Sequence, residues 1–223
     1  MNLTALLILA DSRLPAGTHA HSGGLEAAVA AERVNDAHEL YEFLLGRLTT
    51  TGLVGAAFSA AALDAVDLAQ LTELDSEYDA RTPSPAQRRV SRSLGRQLLR
   101  AASAGWSGPM LSAAATVHPA GPHQPIAFGA AGSAAGLSPS DVATASALGS
   151  VTGPASSATR LTGIDPDSVT AVLAALEPHV QATAGAATKA ALGPYSELPS
   201  FSAPRLDISA EHHSTWEVRL FAS

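Results

Sequence analysis

The sequence predicts an all-α protein, and three observations carry that prediction. Apolar residues fill 46% of the 223 positions, aromatics only 4%, and roughly a fifth of the chain is Ala; this composition suits closely packed helices rather than a β-sandwich. Apolar residues recur at helical spacing in several windows, while strand-like alternation is confined to Trp216, Val218 and Leu220. Two segments, Ser138-Pro139-Ser140-Asp141 and Asp165-Pro166-Asp167-Ser168, combine a capping side chain with proline at the first helical position.

Taken in order, the apolar run from Leu3 to Ala10 has no basic residue before it and meets Asp11 at once, so it reads as neither a signal peptide nor a membrane span. Asn35 or Asp36 caps a helix in which Ala37, Leu40, Tyr41, Leu44, Leu45 and Leu48 share one face. From Ala86 to Ala104, Val90, Leu94, Leu98 and Ala101 fall on one side. Arg88, Arg89, Arg92, Arg96 and Arg100 fall on the other, an expected exposed stripe, and Leu99 is out of place. Gly108-Pro109 and Gly121-Pro122 mark loops. The helix begun at Ser138 is expected to stop at Gly153-Pro154, and the one begun at Asp165 to kink at Pro178. Pro194, Pro199 and Pro204 then break any helix, yet the segment holds Tyr195, Phe201, Trp216 and Phe221, four of the ten aromatics. Such a tail needs a surface for its rings, and a partner protein is the favoured one. The organisation read from this is a single helical domain over residues 1–192, about nine or ten helices in all, followed by an irregular partner-binding tail over 193–223.

Charge and residue inventory exclude several kinds of chemistry. The absence of Cys removes disulfide scaffolds, thiolate zinc sites and cysteine nucleophiles. The only Lys, Lys189, follows Ala186-Ala187-Thr188 and lacks a glycine-rich approach, so there is no P-loop. Gly132-Ser133-Ala134-Ala135-Gly136 matches a nucleophile elbow in composition only, with its serine one place early. His19 and His21 could reach one metal ion from an extended loop, as weak candidates, whereas His212 and His213 read as surface residues of the tail. Net charge is −7, but no acid occurs between Asp79 and Asp141, where six arginines fall. That local basic face suits an acidic partner, and the acidic whole opposes non-specific nucleic-acid binding. Two rival readings follow: a helical nucleic-acid-binding regulator using Arg88, Arg92 and Arg96, and a small metalloenzyme built on the histidines.

Residues Leu9 to Glu26, which include Leu14-Pro15-Ala16-Gly17 and Ser22-Gly23-Gly24-Leu25-Glu26, resemble the N-terminal signature of the UreF family of urease accessory proteins. That signature runs approximately Leu-Pro-x-Gly-Gly-Phe-Ser-Tyr-Ser-x-Gly-Leu-Glu. Agreement continues at Ser91 to Leu99, at His123 to Gly129 and along the small-residue helix from Val142 to Arg160. Thr18, His19 and His21 stand where the family usually has Gly, Phe and Tyr, and Thr162-Gly163-Ile164-Asp165 replaces a Leu-Gly-Gln turn. The ending Arg219-Leu220-Phe221-Ala222-Ser223 is similar to the family's C-terminal tail.

The resemblance implies a cytoplasmic, all-α, non-catalytic maturation factor for the nickel enzyme urease. It would dimerise, bind UreD (also called UreH), recruit the GTPase UreG and couple GTP hydrolysis to nickel delivery to apo-urease, with a possible GTPase-activating role. Neither nucleic acid nor membrane is implied as a partner. No cofactor would be tightly bound, and nickel would be handled by the complex. The expected contact residues are Leu14, Pro15, Gly17, Ser22, Gly24, Leu25 and Glu26 for a dimer or GTPase-facing surface. Arg88, Arg92 and Arg96 are expected to meet an acidic partner, and Trp216, Arg219, Leu220 and Phe221 to dock on UreD.

Overall fold

The core is organised around one apolar rod. Helix α3 (Ala37–Arg47) passes through a π-helical turn (Leu48–Gly52) directly into α4 (Leu53–Leu63), and α4 is buried from Ala56 to Leu63. A helix that is apolar all round must be covered on every side. Helices α8 (Gln124–Ala134), α9 (Pro139–Thr162) and α10 (Pro166–Ala190) supply that cover, with Phe58 at its centre fully buried. Burying a phenylalanine contributes about 1.5–3 kcal/mol. Thr49 and Thr50 donate their hydroxyls to the carbonyls of Leu45 and Gly46 at the start of the π turn, where the α-helical ladder is interrupted. The continuous rod Ala37–Leu63 is, among the described residues, the one helix long and apolar enough to cross a membrane, and its burial at the centre of the bundle accounts for that composition.

The computed structural model describes residues 2–221, with the side chain of His19 excepted; Ala222 and Ser223, the end of the tail motif, lie outside the described residues. Around the core rod lie α1 (Leu3–Ala10), α2 (Leu25–Ala30), α5 (Leu68–Ala80), α6 (Pro85–Ser103), α7 (Pro109–Ala114) and α11 (Pro204–Ser214). Counting α3 and α4 as one, these make ten rods and no strand among the described residues, as the composition predicts. Asp36, Ser138 and Asp165 cap their helices as expected, Ser138 in a full capping box with Asp141. Asp67 and Ser84 cap α5 and α6 by the same device.

Three expectations are corrected. First, α9 does not stop at Gly153-Pro154 but runs on to Thr162. Proline at position 154 removes the N–H that would bond the Ser150 carbonyl, and Arg47 Nε donates to that carbonyl at 2.9 Å instead. The lost helical bond is replaced from a neighbouring helix, so the helix survives its proline; α10 likewise continues through Pro178 to Ala190.

Second, α6 turns only part of its arginine side to solvent: Arg89, Arg96 and Arg100 are exposed, but Arg88 is half-buried and Arg92 lies inside. Its buried positions are Ala86, Arg92, Gly95, Leu98, Leu99 and Ala102, which places Leu99 in the core and Arg92 inside. Gly95 shows why: a Cβ there would lie 2.1 Å from the Pro122 carbonyl oxygen, so α6 meets the loop before α8 at backbone distance.

Third, the tail is not irregular throughout. Pro204 is the first residue of α11 rather than a breaker, and α11 packs on α6 and α2. Glu211 fixes it, accepting from Ser84 Oγ at 2.5 Å and Ala86 N at 2.8 Å at the N-terminus of α6.

Candidate partner-docking surface

The N-terminal signature folds as a compact loop that ends in α2. Gly17 (φ 81°) and Gly24 (φ 92°) both take the left-handed conformation, Gly24 as the residue that opens α2. Side chains other than glycine adopt that conformation only under strain. Leu25 and Ser22 are fully buried, Leu14 packs half-buried against the core, and Pro15 is exposed. Of the residues expected at a partner surface here, Leu25, Ser22 and Glu26 are therefore interior in the folded chain. His21 is half-buried, and the backbone of His19 lies in a short 3-10 turn, Thr18–Ala20.

Glu26 stands in the first turn of α2 and is 8% exposed. Its carboxylate gathers the end of the chain. Oε2 accepts from His213 Nε2 at 2.9 Å and from the Phe221 amide at 3.1 Å, and Oε1 accepts from the Leu220 amide at 2.8 Å. A buried carboxylate requires such donors. Phe221 is buried beneath the Arg160 guanidinium, which lies 4.8 Å from the ring centroid, and Trp216 tilts over the His213 ring at 4.7 Å. So Glu26, Trp216, Leu220 and Phe221, expected at two separate surfaces, meet in one cluster. His213 is its missing member: read as a surface residue, it is 2% exposed. The Phe221 ring, expected to seek a partner, has its seat on the chain's own body. The side chains of Val218, Leu220 and Ile208 face solvent, at 85%, 74% and 70% exposure, although the Leu220 amide belongs to the cluster, and Arg219 is exposed as well.

The arginines of α6 serve a second cluster. Arg92 Nη1 donates to Asp75 Oδ2 at 2.9 Å and to the Gly121 carbonyl at 2.9 Å, while Nη2 donates to Asp79 Oδ1 at 2.8 Å. Asp75 also accepts from the His123 amide at 2.7 Å, and the fully buried His123 ring bonds Asp79 through Nε2 at 3.0 Å. Burial works against the Asp79 charge, but hydrogen bonds from His123 and Arg92 outweigh it and hold its pKa below the ordinary value. Burial also pushes the His123 imidazole downward, against the pull of the neighbouring carboxylates. Arg88 donates to the Thr82 carbonyl at 2.6 Å, and Arg96 to the carbonyl of Ala120. The expected exposed stripe is thus corrected at Arg92, an interior ion-pair partner, and at Arg88, which is half-buried; Arg89, Arg96 and Arg100 are exposed as expected, and Arg96 bonds a loop carbonyl. The acids that pair with Arg88 and Arg92 come from α5, outside the acid-free window that made the stripe look unpaired. Arg89, Arg96 and Arg100 remain without a salt bridge among the described residues.

Among the described residues no three His, Cys, Asp or Glu side chains are grouped to hold a metal ion. The two buried polar clusters join segments that are apart in sequence.

Among the described residues, nine helical rods around an apolar tenth, with the C-terminal segment locked across an N-terminal signature loop, define a single-domain all-α protein. The UreF family profile matches residues 34–177. Full-length relatives agree: the urease accessory protein UreF of Mycobacterium sp. (strain JLS) is 42% identical over 223 residues, covering 99% of each chain. That of Mycolicibacterium vanbaalenii is 42% identical over all of this chain and 99% of its own, and that of Mycobacterium marinum 43% identical over 99% of each. The chain belongs to the UreF family of urease accessory proteins.

Proposed function

We propose that this chain is a maturation factor for urease that bridges UreD and the GTPase UreG and couples GTP hydrolysis to nickel delivery to apo-urease. The likeness to urease accessory proteins along the whole chain, signature loop and tail included, carries the reading. Nickel is cargo of the complex in this scheme, and the chain acts as a cytoplasmic scaffold, paired with a second copy, without turnover of its own. UreD docks on the exposed side of the tail, where Val218, Arg219 and Leu220 lie together in sequence and outside the core and Ile208 is exposed on α11. UreG engages the complex through the face that carries Pro15 and the signature loop.

The test is co-expression of the chain with UreD, UreG and apo-urease. Leu220→Asp changes an exposed side chain and leaves the Leu220 amide on Glu26, so the fold is expected to persist by circular dichroism while UreD recovered with the chain falls at least tenfold. Unchanged recovery overturns the docking assignment. Single-turnover GTP hydrolysis by UreG, measured with and without the complex alongside nickel transfer, separates the remaining roles. Hydrolysis by this chain alone, or full urease activation in its absence, defeats the scaffold reading; altered transfer at an unaltered hydrolysis rate removes the coupling role alone.

A further inference from the structure

A cavity of about 870 Å³ opens between the signature loop, the mid-length of α9 and the inner side of α6, with the C-terminal segment at its edge. Its size is that of a small-molecule site. Leu94, Leu98 and Phe128 give it an apolar floor. Its charge is one-sided. Arg47, Arg89, Arg160 and Arg219 line it, and among the described residues its sole acidic lining side chain, Asp11, is already paired with Arg13 at 2.6 Å. None of the four arginines is in an ion pair among the described residues, whereas Arg81, Arg88 and Arg92 elsewhere all are.

Arg47 is the best-defined of the four. Its Nε is held by the Ser150 carbonyl and its Nη1 by the Gly23 carbonyl, both at 2.9 Å. Carbonyls orient a guanidinium without neutralising it, and in a wall of the cavity Nη2 has no hydrogen-bond partner among the described residues. Burial alone pushes its pKa below the ordinary value, as expected for a cation taken from water without a counter-ion. Such a group is stable when an anion joins it.

We propose that this cavity binds a small organic anion, with a phosphate or carboxylate head on Arg47 and an apolar body on the Leu94, Leu98 and Phe128 floor. The rim arginines, Arg89, Arg160 and Arg219, add attraction from the mouth. This site does not depend on the bridging of UreD and UreG, and either can fail without the other.

Calorimetric titration of the full-length chain tests it, with 1-naphthyl phosphate, 2-naphthoate and neutral 1-naphthol as probes. The anions should bind one per chain, at least tenfold tighter than naphthol, and whichever anion is tighter identifies the head group. Arg47→Gln should weaken the tighter anion at least tenfold. Because Arg47 also supports α9, the double variant Arg89→Gln, Arg219→Gln provides a second reading on exposed residues, with at least a threefold loss. Equal binding of naphthol, no binding into the millimolar range, or wild-type affinity in the folded double variant overturns the proposal. Binding of a poly-glutamate peptide alone, with no small anion bound, overturns it in favour of an acidic protein segment.

Discussion

Glu26 illustrates how one side chain carries long-range structure. Its two oxygens take three donors from the last eleven described residues, so Glu26→Gln keeps the shape but replaces charge-assisted bonds by neutral ones and turns one acceptor into a donor facing an amide or imidazole donor. Urea denaturation should report a loss of about 2–3 kcal/mol. Arg92 makes the complementary case. Removing it leaves Asp75, whose side chain is 5% exposed, charged and short of its cation, and the expected loss for Arg92→Ala is about 3–5 kcal/mol. Arg96→Ala, on an exposed position, should stay within about 1 kcal/mol. Equal effects at the two positions would contradict the burial assigned to α6. The same cluster sets an acid limit. His123 titrates below its ordinary 6.5 in the folded protein, so the unfolded chain binds more protons as pH falls through 6.5 toward the folded value, and stability drops across that window. Asp79, held below 3.8, contributes stability that is present above that value and is lost as pH falls through its lower folded pKa. Urea midpoints between pH 7.5 and 5 should decline, and His123→Asn should flatten the decline.

At the scale of the element, α9 is the informative case. A proline at mid-helix ordinarily ends or bends it, and Gly153-Pro154 reads that way in isolation. The replacement donor, Arg47, lies on another rod 103 residues earlier, and nothing local announces it. If Arg47 substitutes for the missing N–H, restoring that N–H should make Arg47 less necessary. A double-mutant cycle of Arg47→Ala and Pro154→Ala should therefore show a coupling of about 1 kcal/mol, with Arg47→Ala milder in the Pro154→Ala background. Additive effects would mean that the bond to Ser150 does not support the helix. The turn of α6 about its axis was hidden for a related reason. Its two candidate faces differ in charge, and periodicity assigns charge to water; Asp75 and Asp79 on α5 reverse that assignment at Arg92 by supplying counter-ions in the interior, while Arg89, Arg96 and Arg100 stay exposed.

For the whole molecule, the tail is part of the fold. Deleting residues 211–223 removes Glu211 from the cap of α6 and strips Glu26 of its three donors, so a loss of about 2–4 kcal/mol is expected in urea, beyond the small loss of helix from α11. A tail that merely awaited a partner would leave the midpoint unmoved. Composition, helical periodicity and the caps at Asp36, Ser138 and Asp165 were enough to establish an all-α chain, because each acts within a few residues of itself. The UreF resemblance was equally legible, being spread in order along the chain. What only the tertiary structure decided is where polar groups find their partners: Glu26 with His213 and the Leu220 and Phe221 amides, Arg92 with Asp75 and Asp79, Arg47 with Ser150. Hydrogen bonds and ion pairs act over a few ångströms whatever the separation in sequence, and which distant residues come within that reach is settled by the packing of the rods.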